Sequence, residues 1–102
     1  MKSIKLTQMV EYADLAGYKH KRTGDDVSAF QINQMDLGKR PPPGDRRQVN
    51  LRIILPEYRD AQGVLLGEGG SLTGWDRDWV IKRGDVWTAV DEETFSREYE
   101  AK

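Results

Sequence analysis

The sequence predicts an α+β domain: a small antiparallel β-sheet with short N-terminal and C-terminal helices. Three observations predict it. Apolar residues at helical spacing are confined to the two ends of the chain. Between them lie short runs rich in Val, Ile, Trp and Leu, the residues that suit a pleated, half-buried surface. Glycine, proline and aspartate clusters separate those runs as turn residues do. The chain has 102 residues, the length of one domain.

Each element has its own signal. Lys2 to Leu6 reads as a strand. Met9, Val10, Tyr12, Ala13, Leu15 and Ala16 recur at helical spacing, so residues 8–16 read as a helix, with Thr7 as its cap and Gly17 as its stop. Tyr18 to Arg22 and Val27 to Ile32 read as two strands joined at Gly24-Asp25. Val27 and Ala29 should face one way, Phe30 and Ile32 the other. Residues 33–48 read as a long flexible loop. Pro41, Pro42 and Pro43 remove three backbone donors and bias it to polyproline II.

Val49 to Leu55 is the best single strand, ended by Pro56. Residues 58–63 read as a turn and Val64-Leu65-Leu66 as a short strand. Residues 67–74 read as a second flexible, glycine-rich connection. Residues 78–82 and 86–90 form a hairpin around Arg83-Gly84-Asp85, with Trp79 and Trp87 as cross-strand neighbours. Asp91 is suited to cap a closing helix, with Glu92 and Glu93 in its first turn and Phe95 and Tyr99 on its inner face. The expected core is Val27, Phe30, Leu51, Ile53, Ile54, Leu55, Val80, Ile81, Val86, Trp87, Phe95 and Tyr99.

Composition excludes several classes. Hydrophobic residues are 37% and charged residues 32% of the chain. No stretch approaches the roughly 18 apolar residues of a membrane span. With no cysteine and one histidine, disulfide frameworks, thiolate metal sites and His-rich metal sites are excluded. The lack of cysteine, and of an apolar run near the N-terminus, points to a cytoplasmic protein. No cofactor is expected.

The formal net charge of −1 conceals an asymmetry. Residues 1–24 carry five basic and two acidic side chains, and residues 61–102 carry five basic and nine acidic. The acidic last third suits a basic partner or nucleic-acid mimicry. The loop bearing Lys39, Arg40, Arg46 and Arg47 is a plausible contact arm.

Catalytic signals are thin. The glycine run 67–74 lacks the lysine of a phosphate-binding loop. Arg83-Gly84-Asp85 reads as a turn rather than a recognition tripeptide. His20, between Lys19 and Lys21, reads as a surface histidine. The pairs Asp25/Asp26, Asp76/Asp78 and Glu92/Glu93 leave open an enzyme with dispersed carboxylates. Trp75, beside Arg77, reads as a stacking or hot-spot residue. The candidate binding residues are therefore Lys39, Arg40, Arg46, Arg47, Trp75 and Arg77.

Two stretches, 27–32 and 76–100, resemble the small phage and prophage domain family called PGDYG. Ala29-Phe30-Gln31-Ile32 resembles its first element, and Asp78-Trp79-Val80-Ile81 resembles its Pro-Gly-Asp-aromatic turn entering a strand. Asp76-Arg77 stand where that family has Pro-Gly. Asp91 to Glu100, with Phe95 and Tyr99-Glu100, resembles its closing helix. The resemblance implies a compact α+β fold and a viral or prophage origin, and it brings no catalytic residues.

The expected function is a small, non-enzymatic, phage-type protein that binds a host protein, as an inhibitor of a host defence or metabolic system. One alternative is a nucleic-acid or nucleotide binder using the basic loop and Trp75, and another is the carboxylate enzyme. Self-association into a homo-oligomer would supply apolar burial that so small a domain lacks.

Overall fold

A computed structural model describes residues 2–12, 15–45, 49–67, 69–84 and 86–102. The elements in chain order are β1 (Lys2–Lys5), α1 (Leu6–Tyr12), β2 (Ala16–His20), β3 (Asp26–Gln31), β4 (Leu51–Leu55), β5 (Tyr58–Arg59), β6 (Leu65–Gly67), β7 (Gly70–Gly74), β8 (Trp79–Arg83), β9 (Val86–Val90), α2 (Glu92–Glu98) and β10 (Tyr99–Ala101). The fold is α+β. One sheet has five strands in the order β10-β2-β3-β8-β9, and every pair in it is antiparallel. A second has three strands in the order β1-β4-β7, with β1 parallel and β7 antiparallel to β4. β5 and β6 form a separate two-stranded ribbon.

The period-2 pattern of β3 sets the layers. Val27 and Ala29 are buried on one face with Ile81 of β8 and Phe95 of α2, and Tyr18, Trp79, Val90 and Tyr99 pack around them. Phe30, and Ile32 just beyond the strand, are buried on the other face with Val80, Leu51 and Ile53. Leu6 and Met9 of α1 and Leu37 complete that second cluster. So the five-stranded sheet lies between α2 and the three-stranded sheet. Gly74 stands where the two sheets crowd, since a Cβ there would lie 2.5 Å from the Cδ1 of Ile32.

Trp79 belongs to the α2 side, stacked on Phe95 with ring centroids 3.9 Å apart, and Tyr18 meets both rings edge-on. Trp87 packs against the opposite cluster. The two tryptophans are therefore not cross-strand neighbours: Trp79 pairs with Val90, and Lys82 pairs with Trp87. In the hairpin register residues 79 and 87 are three positions out of step, so the pleat sends them to opposite faces.

The ends show how side chains decide boundaries. Asp91 caps α2 by accepting a 2.7 Å bond from the Thr94 amide, and hydrogen bonding from the Thr94 side chain and then its amide lowers the carboxyl below the usual range. At the other end the Lys21 amide donates to the Glu98 carbonyl, and Lys21 Nζ donates to the Ser96 carbonyl. These two contacts, one from an amide and one from an ammonium, satisfy carbonyls that a helix end leaves open. The chain then extends at Tyr99 into β10, so the closing helix is shorter than the sequence pattern suggests.

α1 starts two residues earlier than expected. Its cap is supplied by Gln8, whose side chain accepts from the Lys5 amide at 3.3 Å, as in half of a capping box. Thr7 lies inside the helix, and Gly17 lies in β2. Ala13 and Asp14, also within the expected helix, lie outside the described residues. His20 has a structural role: its Nδ1 accepts from the amides of Arg22 and Thr23 and so shapes the turn into β3.

Residues 70–74, read as part of a flexible connection, form strand β7 instead. Their backbone pairs with β4 from Leu51↔Gly74 to Leu55↔Gly70, which small residues permit as well as large ones. Of the expected core, Ile54 and Val86 are exposed, at 41% and 61%. Ile54 alternates with inward-facing Ile53 on a strand covered on one side, and Val86 stands at the hairpin end of β9, opposite Arg83. No helix among the described residues is long and apolar enough to cross a membrane.

Candidate functional site

The site grows from one short turn. Residues 75–78 link β7 to β8, and the Asp78 amide closes the turn on the Trp75 carbonyl at 3.1 Å. Arg77, the third residue of the turn, has φ +71°, in the left-handed region that favours glycine. The turn is held from several sides. The Arg77 amide donates to the Ile32 carbonyl at 2.7 Å, and the Ile32 amide donates back to the Asp78 carbonyl at 2.8 Å. Asp76 accepts from the Gln34 amide at 3.0 Å.

Asp78 is the centre of this arrangement. It is 2% exposed. Its Oδ2 accepts from the Trp75 amide at 3.1 Å and from the guanidinium of Arg40 in a close ion pair. Burial pushes the carboxyl above its usual range, and Arg40 opposes that shift. The raised direction means that desolvation outweighs the pairing. This is the expected order when one partner is buried and the other, Arg40, keeps 42% of its side chain exposed.

The ion pair draws the proline-rich loop onto the turn. Leu37 is buried in the core just before it, and the Gly38 amide donates to the Val49 carbonyl at 2.8 Å. The Gly38 carbonyl in turn receives the Asp76 amide at 3.4 Å. Residues 38–42, Val49 and Trp75 then line a groove of about 390 Å³. Its walls are mainly apolar, with Lys39 and Arg40 contributing the cations. A groove of this size is at the lower end of ligand-site volumes.

Of the six residues singled out in the sequence, the structure brings three together here: Lys39, Arg40 and Trp75. Trp75 is only 7% exposed, so it serves as packed floor and not as a free stacking platform. The burial follows from Gly74 and Asp78, which fix the backbone on either side of it. Arg77 does not join the groove. Its guanidinium forms a forked pair with Glu92 at 2.9 and 3.3 Å, which lowers the Glu92 carboxyl. Arg46 and Arg47 lie outside the described residues.

Asp78, Val49 and Gly38 were missed by sequence reasoning. Asp78 looked like half of a carboxylate pair, and only the fold shows that it is buried. Three carboxylates of the other acidic pairs are ion-paired: Asp25 to Arg83 at 2.6 Å, Asp26 to Lys102 at 3.0 Å and Glu92 to Arg77. No group of three or more His, Asp or Glu side chains suited to a metal ion occurs among the described residues. No protein-family model, curated protein or solved structure matches the chain.

Two outcomes are expected. Arg77→Gly and Arg77→Ala both lose the Glu92 pair, so their difference reports the backbone. Urea unfolding should show the glycine variant more stable than the alanine variant by about 1 kcal/mol. Arg40→Met should lower stability by about 2–3 kcal/mol at neutral pH, less than for a fully buried pair because Arg40 is half exposed. The pH dependence has a definite sign. A buried carboxyl with a raised folded pKa costs stability as pH rises through that value. Without Arg40 the cost is larger, so the gap between wild type and variant should close as pH falls toward about 4.

Proposed function

We propose that this protein is a small, non-enzymatic, phage-type binding protein that acts by occupying the surface of a host protein. Its contact surface is the groove between residues 38–42, Val49 and Trp75. One observation carries the reading. The Arg40–Asp78 ion pair, with Asp78 also held by the Trp75 amide, adds a side-chain tether to a loop whose base is bonded at Gly38. Ordering a loop before binding reduces the entropy lost on association. Val49 supports the same surface, since it stands 53% exposed at the edge of the groove.

The phage-type assignment rests on the PGDYG resemblance. In that resemblance Arg77 takes the place of the turn glycine, and its φ of +71° is one that glycine adopts without strain. Inhibition of a host defence or metabolic system is the role such a binder would serve, in the cytoplasm of the host cell. The polyanion alternative has less behind it, because Trp75 is buried and Arg77 is paired with Glu92.

Retention of host-cell proteins on the immobilised chain tests the reading. Wild type should retain a specific host protein. Val49→Asp, checked for an unchanged melting temperature, should release it. Equal retention by both proteins would show that the groove is not the contact surface.

A further inference from the structure

Resting on the groove as the contact surface, we infer the chemistry of the segment that fills it: an acidic stretch of the partner chain with an apolar side chain at its centre. Three features of the groove point to this occupant.

The first is charge. Lys39 is exposed, and no carboxylate among the described residues pairs with it. Arg40 gives donors to Asp78 but has five N–H groups in all, and its side chain is 42% exposed. The rim thus offers one unpaired ammonium and the outer edge of a guanidinium. Lys39 and Arg40 are the charged residues among those that line the groove, so with Asp78 offsetting Arg40 the lining is net positive. A carboxylate-bearing segment complements it and a basic one is repelled.

The second is the apolar interior. Pro41, Pro42, Val49 and the exposed edge of Trp75 present carbon to the groove. An apolar side chain entering there completes the burial of Val49. Its acidic neighbours then reach Lys39 and Arg40 at the rim. The volume of about 390 Å³ suits one large side chain and the backbone beside it, not a folded element.

The third is the backbone. Pro41 and Pro42 have no N–H, which removes two of the donors that strand addition along this wall would use. That shifts recognition toward side chains and favours a segment read by its charges and one anchor.

Fluorescence anisotropy on the full chain tests the inference with three labelled peptides at low salt. One is Gly-Asp-Glu-Leu-Phe-Glu-Asp-Gly. The second replaces its acids with Asn and Gln, and the third with Lys. The acidic peptide should bind about tenfold or more tightly than the neutral one, and the basic peptide weakest. Lys39→Glu and Val49→Asp should each weaken the acidic peptide by about tenfold, and Lys19→Glu on β2 should not. Equal binding of acidic and neutral peptides, or no binding of the acidic one, would overturn the inference. A host protein that is released by Val49→Asp, but not by Lys39→Glu or by excess acidic peptide, would overturn it too and leave the groove as contact surface.

Discussion

A buried carboxylate is the constraint on which this structure turns. Asp78 sits at the junction of both sheets, at the entry to β8, with almost no exposure. Left alone there, its charge would be expensive. It is met by the Trp75 amide from its own turn and by Arg40 from a loop 38 residues earlier in the chain. That second partner is the informative one. A proline-rich loop has few backbone donors with which to fix itself, so beyond its bonded base at Gly38 the guanidinium of Arg40 ties it to the turn. The groove, its apolar walls and its cationic rim all follow from that placement.

The layers around the junction come from simpler rules. β3 and β8 are covered on both faces, so each alternates between two different cores instead of between core and water. Ala29 and Ile81 face α2, while Phe30 and Val80 face the three-stranded sheet. The aromatic stack of Trp79 on Phe95, continued to Tyr99, holds α2 and then β10 in place. The turn at 75–78 joins the two sheets, and among the described residues it holds the non-glycine residue with positive φ, Arg77.

Local patterns in the sequence carried a good part of this. The opposite facing of Val27/Ala29 and Phe30/Ile32, the Asp91 cap and the hairpin around Gly84 depend on neighbours close in the chain. What failed depended on distant partners. Strand β7 is glycine- and serine-rich, and only β4 beside it makes it a strand. Trp75 looked exposed because nothing nearby shows that Gly74 and Asp78 pin it inward. Ile54 looked like core, although only one face of its sheet is covered. The groove itself was half legible: its cations were visible as a basic loop, but their ion-pair partner was indistinguishable from any other surface aspartate.

The functional reading stands on that same junction, because a binding surface made by a tethered loop exists only while the tether holds. Hydrogen exchange at the Gly38 and Asp76 amides in an Arg40→Met variant measures this directly. Both amides are bonded in the tethered loop, to Val49 and Gly38 respectively. If Arg40 holds the loop, both lose protection in the variant while the amides of β8 keep theirs. Unchanged protection at Gly38 and Asp76 would show that the loop is ordered without the ion pair, and would contradict the account.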